Sequence, residues 1–263
     1  MLMYNDIFND ILEQVSEISG HLWNYGWAER NGGNISYNIT GCASLFCERP
    51  ALGTPRPIGF KVPELAGAYF LVTGTGKRMR YVSKSPLDNA AVIRICPDLE
   101  HYEIVAEKEI FPSSELPSHL AIHNFLQVDR PSYKAVLHTH PIELIAMTHN
   151  RAFLEKDVLT KILWSMIPET RAFCPKGLGV VRYVLPGSVA LAEATLEQLK
   201  EYDVVLWEKH GVVAVGEDLV EAFDMLDTLS KSAKIYESAC SMGFVPEGMS
   251  DAQMNELKEA FNL

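Results

Sequence analysis

Lys134-Ala-Val-Leu-His-Thr-His-Pro141 reads as a strand that ends in chemistry. Apolar, partly β-branched residues lead into two histidines one residue apart, and a proline stops the run. Successive side chains on a strand point to opposite faces. His138 and His140 therefore share a face, and Thr139 takes the other. Two imidazoles on one face of a rigid strand can bind one divalent metal ion if a third ligand comes from elsewhere.

His210 is the candidate third ligand. It lies where an apolar strand, residues 203–207, meets the turn Glu208-Lys-His-Gly211. From spacing alone, a metal triad and three ordinary histidines are both open. His119 and His123 are a rival pair, i,i+4 neighbours on a helix. Nothing near them in sequence converges with them, and the expected role is helix surface or packing. The other histidines, His21, His101 and His149, fall in helical or loop contexts.

Upstream, Pro112-Ser-Ser-Glu-Leu-Pro117 leads into a helix running to about Leu126. Ser113 and Ser114 are N-cap candidates. Glu115 at this helix start is by default a cap, and beside a metal it is a general acid or base. Two glycine turns lie further upstream, Asn31-Gly-Gly-Asn34 and Gly74-Thr-Gly-Lys77. Glycines there let successive N–H groups face one concavity, and such concavities bind anions. A helix start does the same. Three anion-friendly features suggest a phosphorylated ligand. Neither turn matches the Walker or dinucleotide pattern, so a nucleotide is not indicated.

Around these motifs, strands and helices alternate. Residues 4–25 carry apolar side chains at helical spacing (Ile7, Ile11, Leu12, Val15, Ile18, Leu22), ending near Gly26. Residues 35–39 and 68–73 read as strands, and 41–63, rich in Pro, Gly and Cys, as a loop excursion. Residues 91–95 and 102–106 suggest a hairpin around Pro97-Asp98. Pro141 can open a helix. Residues 158–167 and 190–200 read as helices, 203–207 and 212–215 as strands, 217–241 as a long amphipathic helix, and 250–261 as a short last one. The pattern predicts a single α/β domain over residues 1–263, with a mixed or largely antiparallel sheet between helical layers.

Composition excludes some functions. The net charge of −11 argues against a nucleic-acid surface, which is normally basic, though not against a small anionic substrate. No apolar run approaches the roughly 20 residues that span a bilayer. The first residues lack the basic and apolar regions of a signal peptide. Five scattered cysteines with no Cys-x-x-Cys pair suggest a reduced, cytoplasmic protein.

Taken in order, Glu29-Arg-Asn-Gly-Gly-Asn34, Val72-Thr-Gly-Thr-Gly-Lys77, Pro112-Ser-Ser-Glu-Leu-Pro117, His138-Thr-His140, Pro168-Glu-Thr170, His210-Gly211 and Ser230-Lys-Ser-Ala233 make the chain resemble the class II, zinc-dependent aldolase family, which also includes adducin-like proteins. The resemblance covers roughly residues 20–245. It implies Zn²⁺ held by His138, His140 and His210, one ion per subunit, and Glu115 as catalytic acid/base. It implies Asn31, Gly33, Asn34, Thr75, Gly76 and Ser114 around the phosphate of a small phosphorylated sugar. It further implies a homotetramer with active sites at subunit interfaces, where Glu169 reaches a neighbouring subunit's site. Thr75 keeps the hydroxyl of a relative's serine, and Ser165-Met-Ile-Pro168 departs from the family pattern just before Glu169. The implied chemistry is cleavage of a ketose 1-phosphate, the metal acting as a Lewis acid towards the enediolate left when a carbon–carbon bond breaks.

Three alternatives stand beside it. A sibling enzyme acting on another sugar phosphate, as aldolase or 4-epimerase, would keep the three histidines. A Schiff-base aldolase would use Lys77, which needs desolvation or a depressed pKa. An adducin-like interaction module would need no metal.

Overall fold

The computed structural model describes residues 6–262. Its strands are β1 (Asn34–Asn38), β2 (Leu52–Pro57), β3 (Tyr69–Thr73), β4 (Ala90–Ile95), β5 (His101–Ile104), β6 (Ala135–Thr139), β7 (Gly179–Val181), β8 (Val204–Trp207) and β9 (Gly211–Gly216). They form one sheet in the order β2-β5-β4-β3-β1-β6-β9-β8-β7. Every neighbouring pair is antiparallel except β7 with β8. The helices are α1 (Asp6–Asn24), α2 (Met79–Val82), α3 (Pro86–Asn89), α4 (Leu116–Asp129), α5 (Ile142–Met147), α6 (Val158–Met166), α7 (Pro168–Phe173), α8 (Val189–Leu199), α9 (Leu219–Ser241) and α10 (Asp251–Phe261). None of them is long and apolar enough to cross a membrane.

The expected mixed sheet between helical layers is what forms. Strand alternation decides which side chains meet which layer. Ala135 and Leu137 of β6 join Ile35, Tyr37, Leu71 and Ala214 in a core closed by Phe8, Ile11, Val15 and Ile18 of α1 and Leu226 and Leu229 of α9. Val136 faces the other way, with Val213 and Val215, against Ile122 and Leu126 of α4 and Leu191 and Leu199 of α8. On that same side Phe70, Val72 and Ile93 pack with Leu116 and Leu120. Burying each such aliphatic side chain stabilises the fold by about 1.5–3 kcal/mol.

His138 has the parity of Val136, so it faces α4. β6 lies inside the sheet, between β1 and β9. His138 pairs across β1 with Asn34 and across β9 with Val213. Its backbone is thus held from both sides, which gives the histidine pair a rigid base.

Several expectations are corrected. Residues 41–63 are not all loop: a 3₁₀ turn spans Thr40–Leu45, and β2 pairs with β5 through a register break between Leu52 and Arg56. Pro55 and Pro57 lack an N–H, so such a strand can lie only at an edge, and its composition resembles a loop. β7 escapes a sequence pattern because three residues are too few to show alternation. The N-terminal helix begins within the expected span, whose residues 4 and 5 lie outside the described residues. Pro141 is the N-cap residue of α5 and not its first helical residue.

Candidate active site

Each histidine is placed by a different backbone device. His138 is on β6, and His140 follows the strand's last residue. Its N–H donates to the Trp27 carbonyl at 2.9 Å, and the Thr139 hydroxyl donates to the same oxygen at 2.7 Å. His210 ends the tight turn between β8 and β9, its N–H donating to the Trp207 carbonyl at 3.1 Å. That turn needs Lys209 at φ +58°, a left-handed conformation uncommon outside glycine. The Lys209 N–H donates to Thr148 Oγ1 at 3.0 Å and holds the turn there.

The ligand-capable atoms of the three rings all lie within 4.8 Å of one another. His138 Nδ1 is 2.9 Å from the Val212 carbonyl, which can only accept, so this nitrogen carries the proton. Glu29 does the same for His140, its two oxygens 2.9 and 3.0 Å from Nδ1. The Nε2 lone pairs of both rings are therefore free, and they face each other at 3.3 Å. Two bare lone pairs repel at that distance unless a cation lies between them. Ligand nitrogens bound at about 2.0–2.1 Å around a tetrahedral ion are themselves about 3.3 Å apart. Burial pushes the His138 pKa well below the usual imidazole value, and the His140 and His210 rings push it the same way. Burial also lowers that of His210, against the opposing pull of Glu115. Both rings are neutral at pH 7 and able to donate to a metal. His210 Nδ1 is buried without a protein partner. Trp207 packs on His138 and His210, with ring centroids 4.6 and 5.0 Å away. The triad fits a divalent metal ion.

Gly211 keeps room for it. A Cβ there would lie 2.6 Å from the Thr139 carbonyl oxygen, 2.7 Å from His140 Cδ2 and 3.0 Å from His138 Cε1. Gly211→Ala is expected to lose about 1–3 kcal/mol of stability, as overpacked sites do, and to bind metal more weakly. Thermal unfolding with metal content per chain checks this; a variant as stable and as metal-loaded as the parent would contradict it.

Glu115 occupies the N-cap position of α4 at φ −89°, ψ 7°, without a capping bond from its side chain. This corrects both capping expectations. The helix starts after Glu115 and not after a serine, and the Ser113 hydroxyl accepts the Glu115 N–H at 3.3 Å. Freed from capping, the Glu115 carboxylate turns into the site. Its Oε2 accepts from Asn34 Nδ2 at 2.6 Å and lies 3.7 Å from His138 Nε2.

One cavity of about 180 Å³ joins these groups to the glycine turns. Asn31, Gly33, Asn34, Thr75, Gly76, Ser114, Glu115, His138, His140 and His210 all line it. Gly33 is at φ +73°, and a Cβ there would meet the His138 carbonyl oxygen at 2.9 Å. The Asn34 side chain is turned towards Glu115 and His119. The Thr75 N–H is taken by the Phe111 carbonyl at 2.8 Å, so the hydroxyl is what Thr75 offers the cavity. Lys77 also lines it, its ammonium donating to the Asp88 carbonyl at 3.3 Å. That partly exposed, hydrogen-bonded amine lacks the desolvated setting of a Schiff-base lysine. Glu169 is exposed on α7 and does not line the cavity. Its neighbour Thr170 is buried and bonds to Ser232 of α9 at 2.5 Å, which gives the Ser230-Lys-Ser-Ala233 motif a structural task.

His119 and His123 do not lie on a helix surface. Both are buried, and both bond to the Ser36 hydroxyl. They are apart from the metal triad. Glu29, Trp207 and the Val212 carbonyl are the site groups that motif spacing missed. Glu29 heads the first glycine turn, and that carboxylate was the one visible signal.

A family model described as Class II Aldolase and Adducin N-terminal domain matches residues 13–236, and the chain belongs to this family. It is 54% identical over 253 residues to the rhamnulose-1-phosphate aldolase of Bacteroides thetaiotaomicron, covering 96% of this chain and 94% of that one. The rhamnulose-1-phosphate aldolase of Enterococcus faecalis is 35% identical over 255 residues, covering 96% and 91%. A sugar-phosphate aldolase from Thermotoga maritima has a similar solved structure, with a TM-score of 0.77 and 34% identity over 92% of this chain and 99% of that one.

Proposed function

We propose that this protein is an aldehyde-lyase that reversibly cleaves L-rhamnulose 1-phosphate to dihydroxyacetone phosphate and L-lactaldehyde, in cytoplasmic rhamnose catabolism. Residues 1–263 act as one catalytic domain. His138, His140 and His210 hold Zn²⁺, whose preference for imidazole nitrogen they suit. Bound there, the ion supplies Lewis acidity, drawing charge from the ketose carbonyl and stabilising the negative charge left when the C3–C4 bond breaks.

The chain's own residues do the rest. Glu115 carries the proton exchanged at C3: in cleavage the proton released by the C4 hydroxyl makes good the one Glu115 gives to C3, and in synthesis the transfer runs back. Asn31, Gly33, Thr75, Gly76 and Ser114 hold the phosphate, with Asn34 beside them turned to Glu115. Anchoring the unreactive end in this way contributes orientation at the carbons that change. Glu169 serves a neighbouring subunit's site in a homotetramer, in keeping with its exposure away from its own cavity.

The observation that carries this reading is the convergence of three imidazoles and the Glu115 carboxylate in one glycine-walled cavity. The choice of sugar follows the Bacteroides and Enterococcus relatives. A panel of ketose phosphates assayed for aldehyde release tests it, with L-rhamnulose 1-phosphate expected to turn over fastest. A clear preference for L-fuculose 1-phosphate, or epimerisation of L-ribulose 5-phosphate, would instead assign a sibling activity. Full activity after chelation would exclude the metal role.

A further inference from the structure

Behind Glu115 lies a row of buried polar groups that the proposed chemistry does not use. β1 sets Asn34 and Ser36 on the face towards α4, two residues apart. α4 sets His119 and His123 four and eight residues after Glu115, on one helical face. Two strand residues advance about 6.8 Å and four helical residues about 6 Å, so the two rows stay in step. Contacts alternate between them. Asn34 Nδ2 donates to Glu115 Oε2 at 2.6 Å, and Asn34 Oδ1 bonds His119 Nε2. His119 Nδ1 is 2.6 Å from Ser36 Oγ, and His123 Nε2 is 2.8 Å from the same oxygen. Asn34, Ser36, His119 and His123 are all buried, so water does not compete.

The direction of each bond follows from the first. An ionised carboxylate only accepts, so the Asn34 amide nitrogen faces Glu115 and its oxygen faces His119. His119 then donates from Nε2 and accepts at Nδ1. The Ser36 hydroxyl donates to that nitrogen and accepts from His123 Nε2–H. Neither ring needs a second proton. Burial in fact pushes the His119 pKa down to about 4 and that of His123 well below the usual value.

We infer that His119, backed by Ser36 and His123, is a positioning residue that holds the Asn34 amide in the orientation presenting its N–H to Glu115. This rests on Glu115 being the acid/base of the proposed reaction. The two ends of an amide are nearly alike in shape but opposite in hydrogen bonding. Turned over, the amide would set its oxygen against the carboxylate and drive it from its place. In the tautomer with its proton on Nε2, His119 donates to the amide oxygen and opposes that turn. Replacing both partners of a buried hydrogen bond by apolar groups of the same shape can be nearly neutral for stability, so stability alone does not call for these four residues.

The test compares His119→Leu, His119→Gln and Ser36→Ala, with and without Glu115→Ser, in cleavage of L-rhamnulose 1-phosphate. His119→Leu is expected to lower kcat on the order of 10- to 100-fold, with KM and bound metal unchanged. His119→Gln keeps a donor near the Nε2 position and is expected to restore most of the loss. In the Glu115→Ser background, His119→Leu should cost nothing further, because its effect runs through Glu115. Equal losses in both backgrounds, or a Gln variant no better than Leu, would assign a purely structural role and overturn the inference. If His119→Leu does not fold, Ser36→Ala decides: a smaller loss confined to kcat supports the inference, and an unchanged kcat overturns it. Failure of the acid/base assignment is recognised separately, because Glu115→Ser alone would then remain active.

Discussion

Glu115→Ser is expected to keep its metal and lose roughly 10²- to 10⁴-fold in turnover, the range for a missing general acid or base. The carboxylate caps nothing: α4 begins after it without a bond from its side chain, so helix stability should change little. The three imidazoles and the partners that orient two of them, Val212 and Glu29, are untouched. What disappears is the carboxylate in contact with Asn34 and next to His138. Turnover, metal per chain and the unfolding temperature should be measured on one preparation. Low activity with full metal and an unchanged melt is the expected pattern. Near-parental turnover would remove Glu115 from the chemistry.

His210→Ala should lose both the metal and activity, the latter by roughly 10³-fold or more, because several kcal/mol of charge stabilisation go with the ion. Of the three ligands this is the safest to remove. His210 is partly exposed on a turn and His138 is fully buried in the sheet. The His210 Nδ1 has no protein partner, so truncation breaks no hydrogen bond at that atom. The turn itself is held through backbone N–H groups, by Trp207 and Thr148, and should persist. Two remaining imidazoles are too few to retain the ion under dialysis. A variant that keeps one metal per chain would place the ion elsewhere; one that loses metal but not activity would exclude a metal-dependent reaction.

Much of this protein was legible in its sequence because the relevant signals are local. Helical spacing in α1 and α9, the short apolar runs of β3 and β6, and the spacing of His138 and His140 need only a few neighbouring residues to show. So does a glycine turn, because the backbone conformation at Gly33 or Gly76 belongs to that residue alone. Where local chemistry is ambiguous the sequence misleads. Two prolines made the edge strand β2 look like loop, and two serines before α4 looked like caps.

Tertiary structure decided the rest, since it sets partners far apart along the chain. Asn34 meets Glu115 across 81 residues and His119 across 85; Val212 fixes the tautomer of His138 across 74. No period or motif encodes such pairings, which arise only when β1, β6 and β9 come into register under α4. The sequence by itself determined the family, the class of fold and most of the candidate residues for the chemistry. Packing alone decided that Glu115 points inward instead of capping its helix, and that His119 and His123 are neutral, buried groups behind it. Side-chain direction and desolvation depend on what surrounds a residue, and only the folded chain supplies that.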